Sequence, residues 1–422
     1  MGPILILDKS ALESLNVDQS VWLEMFFSSN ITPLLYVETL ADLEKSDKTG
    51  RSSERIVADL ASKTPANTVF PNVHHHQLII QDFFGNTPPL DTHQVVVSGG
   101  QAKKDSEGKL GIHIDEFPEL AALGRWFKGE FSEIERKYAK NWREILNGLN
   151  PEATIELVQN MTSGGKRFSG ITEVKEFSDE FVKKAGPEKL NFGLHLLGIP
   201  NEMRFPILKR YTDFGRPPLQ QFAPYAAFVL KIEVFYYLCL RQGFIDKERA
   251  SNKADIAYLY YLPFCHAFVS KDNLHTRTAE LFMENDQHFV PAEKLKSALA
   301  ELDNYFSRFK DEIERVGLMK FVGYPPPDMD NVVTQLWDRF MRPDWRKIEK
   351  ERQAGDDGMP SDEEILKMLR KNHEEATPVS HPVDTSRADY FMIGRKASLR
   401  KGKWRILPPE VEEVREAGSS PD

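Results

Sequence analysis

The chain has few cysteines, with only Cys239 and Cys265 among its 422 residues, and both lie in apolar surroundings. This number argues against a disulfide-stapled secreted domain, so we expect two buried free thiols in a reducing compartment. The N-terminal apolar run is short and lacks a basic start, so no signal peptide is predicted. The most apolar segment, Tyr225 to Leu240, is too short to span a bilayer and contains charged residues. We therefore expect a cytoplasmic protein that does not contact membranes.

An excess of positive charge is also missing, because 64 acidic residues outnumber 55 basic ones and the net charge is −9. General affinity for nucleic acid is therefore not predicted, and any polyanion site would have to be a local basic patch. Two segments resemble binding motifs, a metal site and a phosphate-binding loop, but do not meet their requirements. The consecutive histidines His74–His76 do not converge on one metal ion. The segment Ser163–Arg167 lacks the glycine spacing of a phosphate-binding loop.

Acidic residues, by contrast, follow predicted buried strands. Pro3–Leu7 is a continuous apolar run, typical of a strand buried on both faces, and Asp8 comes directly after it. Thr32–Val37 is predicted as a second strand. It leads into a helix on which Glu38 and Asp42, four residues apart, share one face. The sequence thus places carboxylates where two strands end.

Two further acids lie in the stretch 255–272. The pattern predicts a short helix that opens on Asp255, then a buried strand at Ala267–Val269, with Asp272 just past its end. In an open α/β sheet, ligands bind at this carboxyl edge. Two carboxylates about 4 Å apart repel by about 4 kcal/mol at an effective dielectric constant of about 20, a cost that a bound cation removes. Oxygen ligands without cysteine or histidine favour Mg²⁺ or Mn²⁺.

The order and spacing of these motifs resemble a PIN-domain nuclease. That family begins with a strand ending in Asp-x-Ser/Thr/Asn, here Asp8-Lys-Ser10, followed by a strand and an acid-bearing helix, here Val37–Leu43. A helix opening with aspartate comes next, here Ala254–Ala257, and the strand after it ends in Ser270-Lys-Asp272. A last strand at 288–291 and a helix at 292–315 close the pattern. The resemblance covers residues 1–45 and about 220–310.

The resemblance implies a metal-dependent endonuclease that hydrolyses phosphodiester bonds, most often in single-stranded RNA. Asp8, Asp42, Asp255 and Asp272 would hold Mg²⁺ or Mn²⁺, and Ser270 would support the site by hydrogen bonding. The register of the helix favours Asp42 as the second acid, with Glu38 as the alternative ligand. An inhibitory or regulatory protein is a candidate partner. The oligomeric state stays open.

Two other functions remain open at this point. One is a PIN-like scaffold that binds nucleic acid or a partner protein without cutting, which the overall acidity favours. The other is a structure-specific DNA nuclease, for which further acids are expected in the site, with Glu38 and Glu44 as candidates.

We predict an α/β fold with a PIN-like parallel sheet flanked by helices and interrupted by a mostly helical insertion. A small C-terminal β-hairpin extension follows. The predicted segments are 1–45 (first part of the PIN-like domain), 46–219 (insertion), 220–315 (second part) and 316–422 (C-terminal extension).

The C-terminal extension combines an acidic helix, predicted at 361–375, with a basic hairpin. Cations surrounding an aromatic could bind single-stranded nucleic acid through phosphate contacts and stacking. Alternatively, the hairpin is a solubilising edge or pairs with the acidic helix. The candidate contact residues are Arg395, Lys396, Arg400, Lys401, Lys403, Trp404 and Arg405.

Overall fold

The computed structural model of the protein describes residues 2–45, 50–66, 68–92, 96–97, 100–114, 117–148, 151–162, 164–354, 376–379, 390–393 and 398–409. Its strands are β1 (Ile4–Leu7), β2 (Ser28–Ile31), β3 (Val69–Pro71), β4 (Gln101–Lys104), β5 (Leu110–Ile114), β6 (Ala267–Ser270), β7 (His288–Pro291), β8 (Thr377–Pro378), β9 (Tyr390–Ile393), β10 (Arg400–Lys401) and β11 (Trp404–Arg405). Its α-helices are α1 (Lys9–Ser14), α2 (Val17–Phe26), α3 (Pro33–Ala41), α4 (Ser53–Lys63), α5 (His75–Phe83), α6 (Pro118–Phe127), α7 (Glu133–Gly148), α8 (Glu152–Met161), α9 (Ile171–Lys183), α10 (Pro187–Leu196), α11 (Asn201–Asp213), α12 (Leu219–Phe222), α13 (Pro224–Gln242), α14 (Asn252–Ala257), α15 (Asn273–Thr278), α16 (Ala292–Ser307), α17 (Lys310–Val316), α18 (Leu318–Phe321), α19 (Val332–Phe340) and α20 (Trp345–Gln353).

The main sheet is parallel and has the strand order β3-β2-β1-β6-β7. The predicted α/β class, with a parallel sheet flanked by helices, is therefore confirmed. From β1 the chain builds β2 and β3 on one side, and it later adds β6 and β7 on the other. The gap between the carboxyl ends of β1 and β6 is thus a topological switch point, where open α/β sheets bind ligands.

The apolar run of β1 is explained by packing on both faces of the sheet. Ile4 and Ile6 join one hydrophobic core, which is built largely around α13. Leu5 and Leu7 join the other core, which contains Trp22 and the apolar side of α16. A central parallel strand buried on both faces is expected to be apolar at every position, as this one is.

The second strand differs from its prediction. Thr32–Val37 was predicted as a strand, but β2 lies earlier and Pro33–Ala41 is helical. Proline at the first helical position and the Thr32 side chain, which accepts a hydrogen bond from the Leu35 amide, favour a helix start here. The polar strand β2 is stabilised instead by Asn30, whose Nδ2 donates to the Phe264 carbonyl at 2.6 Å.

Residues 46–219 are not only helical. The mostly helical insertion predicted here contains β3, which begins at Val69 and pairs in parallel with β2 inside the main sheet. Strands β4 and β5 form an antiparallel hairpin in a second sheet of order β8-β4-β5-β9. The closing helix predicted over 292–315 is broken into α16 and α17. None of the helices in the described part of the chain has the length and apolar character needed to cross a membrane.

Gly317 joins α17 to α18 with a backbone that only glycine adopts readily, at φ +79° and ψ 149°. A Cβ there would lie 2.6 Å from the carbonyl carbon of Leu407. We expect Gly317→Ala to lower the free energy of unfolding by about 1–3 kcal/mol. The control is Gly124→Ala in α6, where no atom lies within 4 Å and the exchange should stabilise by about 0.5–1 kcal/mol. Urea unfolding measures both, and equal effects would contradict the prediction.

Candidate active site

Asp8 caps α1 at the carboxyl end of β1 and is buried. Its Oδ1 accepts from the Ala11 amide at 2.8 Å, and the Ser10 hydroxyl donates to both carboxylate oxygens at 2.9 Å. The neighbouring strand contributes Ser270, whose hydroxyl donates to Asp8 Oδ2. Leu7 pairs with Val269 in the sheet, so these residues meet because their strands are neighbours. This contact is of the kind predicted for Ser270, which is expected to support the site by hydrogen bonding.

His275 is a site residue that the sequence analysis missed. Its ring is buried, with Nδ1 3.1 Å from Asp8 Oδ2 and 2.8 Å from the Ser270 hydroxyl. Its Nε2 donates to the Asp255 carbonyl oxygen at 2.6 Å. Burial lowers the pKa of His275, but the contacts with Asp8 and Asp255 together outweigh burial and the net pKa is raised. One imidazole therefore connects the end of β1, the end of β6 and the helix that carries Asp255.

Asp255 and Asp272 share one cation. The guanidinium nitrogen Nη2 of Arg249 lies 3.5 Å from Asp255 Oδ2 and 3.2 Å from Asp272 Oδ2. Asp272 also caps α15, with Oδ1 accepting from the Leu274 amide at 2.6 Å. Asp255 lies within the first turn of α14, which begins three residues before the predicted start. The two carboxylates are thus close enough for a single side chain to bridge them.

Glu38 and Asp42 have different surroundings. Glu38 accepts a hydrogen bond from the Tyr258 hydroxyl at 2.5 Å. Asp42, the acid that the helix register favours, lies 2.8 Å from Lys9 Nζ and 3.2 Å from Arg143 Nη2. Its oxygens are engaged by two cations of the protein. Glu38, unlike Asp42, has no ion pair with either of these two cations, and its hydrogen-bond partner Tyr258 lies three residues after Asp255.

The pKa values of Glu38 and Asp255 are raised. Burial raises the pKa of Glu38 to about 7, helped by Asp255 and Asp8 and opposed by the Tyr258 hydroxyl. Burial also raises the pKa of Asp255 to about 6, with Asp272 and Asp8 adding to the rise and His275 and Arg249 opposing it. Burial is the larger cause of both rises, and the neighbouring carboxylates add to it. Both effects disfavour the charged form of Glu38 and Asp255.

The donors are suitable for a hard cation, but they are not arranged as a finished metal site. In the described ranges no three of the acids, histidines or cysteines stand close enough together to hold a metal ion. One feature fits a cation well: Asp255 Oδ2 is buried and accepts no hydrogen bond. Carboxylate oxygens are the ligands that Mg²⁺ and Mn²⁺ prefer. The residues therefore fit a cation in their chemistry, and binding would require their side chains to draw together.

The basic hairpin residues lie elsewhere and are engaged by acids of the domain. Trp404 is 1% exposed and stands edge-on to Trp22, so it is not available to stack on a base. Arg400 and Arg405 pair with Glu314, Lys401 with Glu24, and Lys403 with Asp303. Arg395, Lys396 and the predicted acidic helix at 361–375 lie outside the described residues. The side chains predicted to contact nucleic acid thus attach the hairpin to the rest of the protein instead.

Comparison with protein-family models, with curated proteins and with solved structures finds no match to this chain.

Proposed function

We propose that this chain is a metal-dependent endonuclease with a PIN-like fold that hydrolyses phosphodiester bonds in single-stranded RNA. The observation that carries the proposal is the set of contacts at the switch point between β1 and β6: His275 joins Asp8 to the backbone of Asp255, and Arg249 bridges Asp255 and Asp272. These acids come from segments far apart in sequence. The order of strands and acids along the chain is the order that the PIN-domain resemblance implies.

The four acids would hold Mg²⁺ or Mn²⁺, with Glu38 taking the place first expected for Asp42. A divalent cation in such a site supplies activation of water and neutralises charge on the phosphodiester. Ser270 and His275 hold the Asp8 carboxylate in one orientation through direct contacts. His275 also ties Asp8 to the backbone of Asp255, so it acts as a positioning residue. No protein nucleophile is needed for this reaction.

Single observations favour the two other functions. In a scaffold that binds without cutting, the charges of the acids would be neutralised by basic residues of the protein itself. Arg249 pairs in this way with Asp255 and Asp272. A structure-specific DNA nuclease would use a further acid, and Glu38 lies among the others. Glu44, the second extra acid expected for such an enzyme, is exposed to solvent.

A cleavage assay tests the proposal. The wild type and an Asp8→Asn/Asp255→Asn variant would be incubated with labelled single-stranded RNA or DNA in Mn²⁺, Mg²⁺ or EDTA. We expect RNA cleavage by the wild type alone, abolished by EDTA. Faster cleavage of DNA flaps than of RNA would favour the structure-specific nuclease. Equal binding by both proteins without cleavage would favour the scaffold. The absence of both binding and cleavage would reject the proposal.

A further inference from the structure

Arg249 lies at the mouth of the acid cluster, on the connection between α13 and α14. Its side chain is 53% exposed, whereas those of Asp255 and Asp272 are only 14% and 15% exposed. The guanidinium therefore approaches both carboxylates from the solvent side. A cation entering from solvent to reach Asp255 Oδ2 and Asp272 Oδ2 would meet this group first.

The backbone around Arg249 is fixed more firmly than its side chain. Asn252 holds the connection from inside, with its Nδ2 donating to the Asp246 carbonyl at 2.7 Å and its amide to the Arg249 carbonyl at 3.0 Å. Beyond the two acids, the Arg249 side chain has one further hydrogen bond, from Nε to the Ser251 hydroxyl at 3.0 Å. The side chain can therefore leave the acids without unfolding the connection.

We propose that Arg249 is a displaceable internal cation that covers Asp255 and Asp272 until a divalent cation expels it. This inference rests on the proposed metal-dependent function. A divalent ion brings twice the charge of the guanidinium to the same oxygens, so the exchange is favourable electrostatically. A monovalent ion replaces one charge by one and gains nothing. Arg249 thus lowers cation affinity and makes the site selective for divalent ions.

The test is Mn²⁺ binding by isothermal titration calorimetry on the full chain. We expect Arg249→Ala to bind Mn²⁺ about three- to tenfold more tightly than the wild type, because no exposed ion pair has to be broken first. Arg249→Gln, which removes the charge but keeps a polar side chain, should show the same gain. The matched control is Lys247→Ala, which removes a charge from the same connection. Lys247 pairs with Glu152 rather than with the site, so its loss should leave the affinity unchanged.

The outcomes separate the two proposals. If the wild type binds Mn²⁺ and both Arg249 variants bind equally or more weakly, the displaceable cation is rejected while the metal site stands. If the Arg249→Ala/Asp255→Asn double variant still binds Mn²⁺ more tightly than the wild type, the gain in affinity arises elsewhere and the inference also fails. If none of the proteins binds Mn²⁺, both the inference and the proposed metal site are wrong.

Discussion

An Asp8→Asn variant should lose Mn²⁺-dependent RNA cleavage by at least about 10²-fold, the scale of removing one charge-stabilising group from an active site. Asparagine keeps the shape of Asp8 and caps helices as well as aspartate does, so α1 should persist. The variant removes the negative charge that would hold the cation. Single-turnover cleavage of labelled RNA, with urea unfolding to verify the fold, measures the effect.

Two variants, one on α3 and one at the residue that follows it, make this prediction specific. Glu38→Gln should lose cleavage as Asp8→Asn does, because Glu38 faces the other acids. Asp42→Asn should keep its cleavage rate, although it removes the partner of Lys9 and Arg143 and is expected to lower stability. The reverse pattern, with Asp42 essential and Glu38 dispensable, would restore the assignment that the helix register favours.

A Trp404→Ala variant should lower the free energy of unfolding by about 3–5 kcal/mol, the usual cost of truncating a buried tryptophan. The indole is packed in the core that contains Trp22, and its Nε1 donates to Asp303 Oδ1 at 2.9 Å. Removing it leaves a large cavity between the hairpin and α16. Urea unfolding followed by tryptophan fluorescence and by circular dichroism measures the loss.

Arg400→Ala is the matched control on the same hairpin. Arg400 pairs with Glu314, but the side chains are 47% and 41% exposed. Exposed ion pairs contribute about 1 kcal/mol or less, so this variant should be nearly neutral. Comparable losses for Arg400→Ala and Trp404→Ala would show that charge, rather than packing, attaches the hairpin.

The parts of the fold that could be predicted have strong local signals. Strands β1, β6 and β7 are apolar and short, and their positions agree with the predicted ones. Asp8 and Asp272 follow the ends of β1 and β6, where sequence position alone indicates the carboxyl edge of a sheet. The coarse class follows from these elements, because apolar strands that alternate with helices favour a parallel sheet.

What could not be predicted depends on contacts between distant residues. The strand β2 has the sequence Ser-Ser-Asn-Ile, which carries no strand signal, and its burial is tolerated because Asn30 bonds to Phe264. The different surroundings of Glu38 and Asp42 depend on Tyr258, which contacts Glu38, and on Lys9 and Arg143, which pair with Asp42. The only sequence signal for His275 is its position three residues after Asp272, and that spacing alone indicates no contact. The contacts of His275 with Asp8 and Asp255 form only when β1 and α14 are brought together by folding.

The pairing of β1 with β6 joins Leu5 to Ala267, residues that are 262 positions apart. During synthesis at about 5–20 residues per second, β1 therefore waits roughly 13–50 s before its neighbour exists. A growing chain carries Asp8 and Glu38 early, but Asp255 and Asp272 are added only after most of the intervening helices. The acid cluster is thus assembled by long-range folding, and it is complete only after residue 272 has been added to the chain.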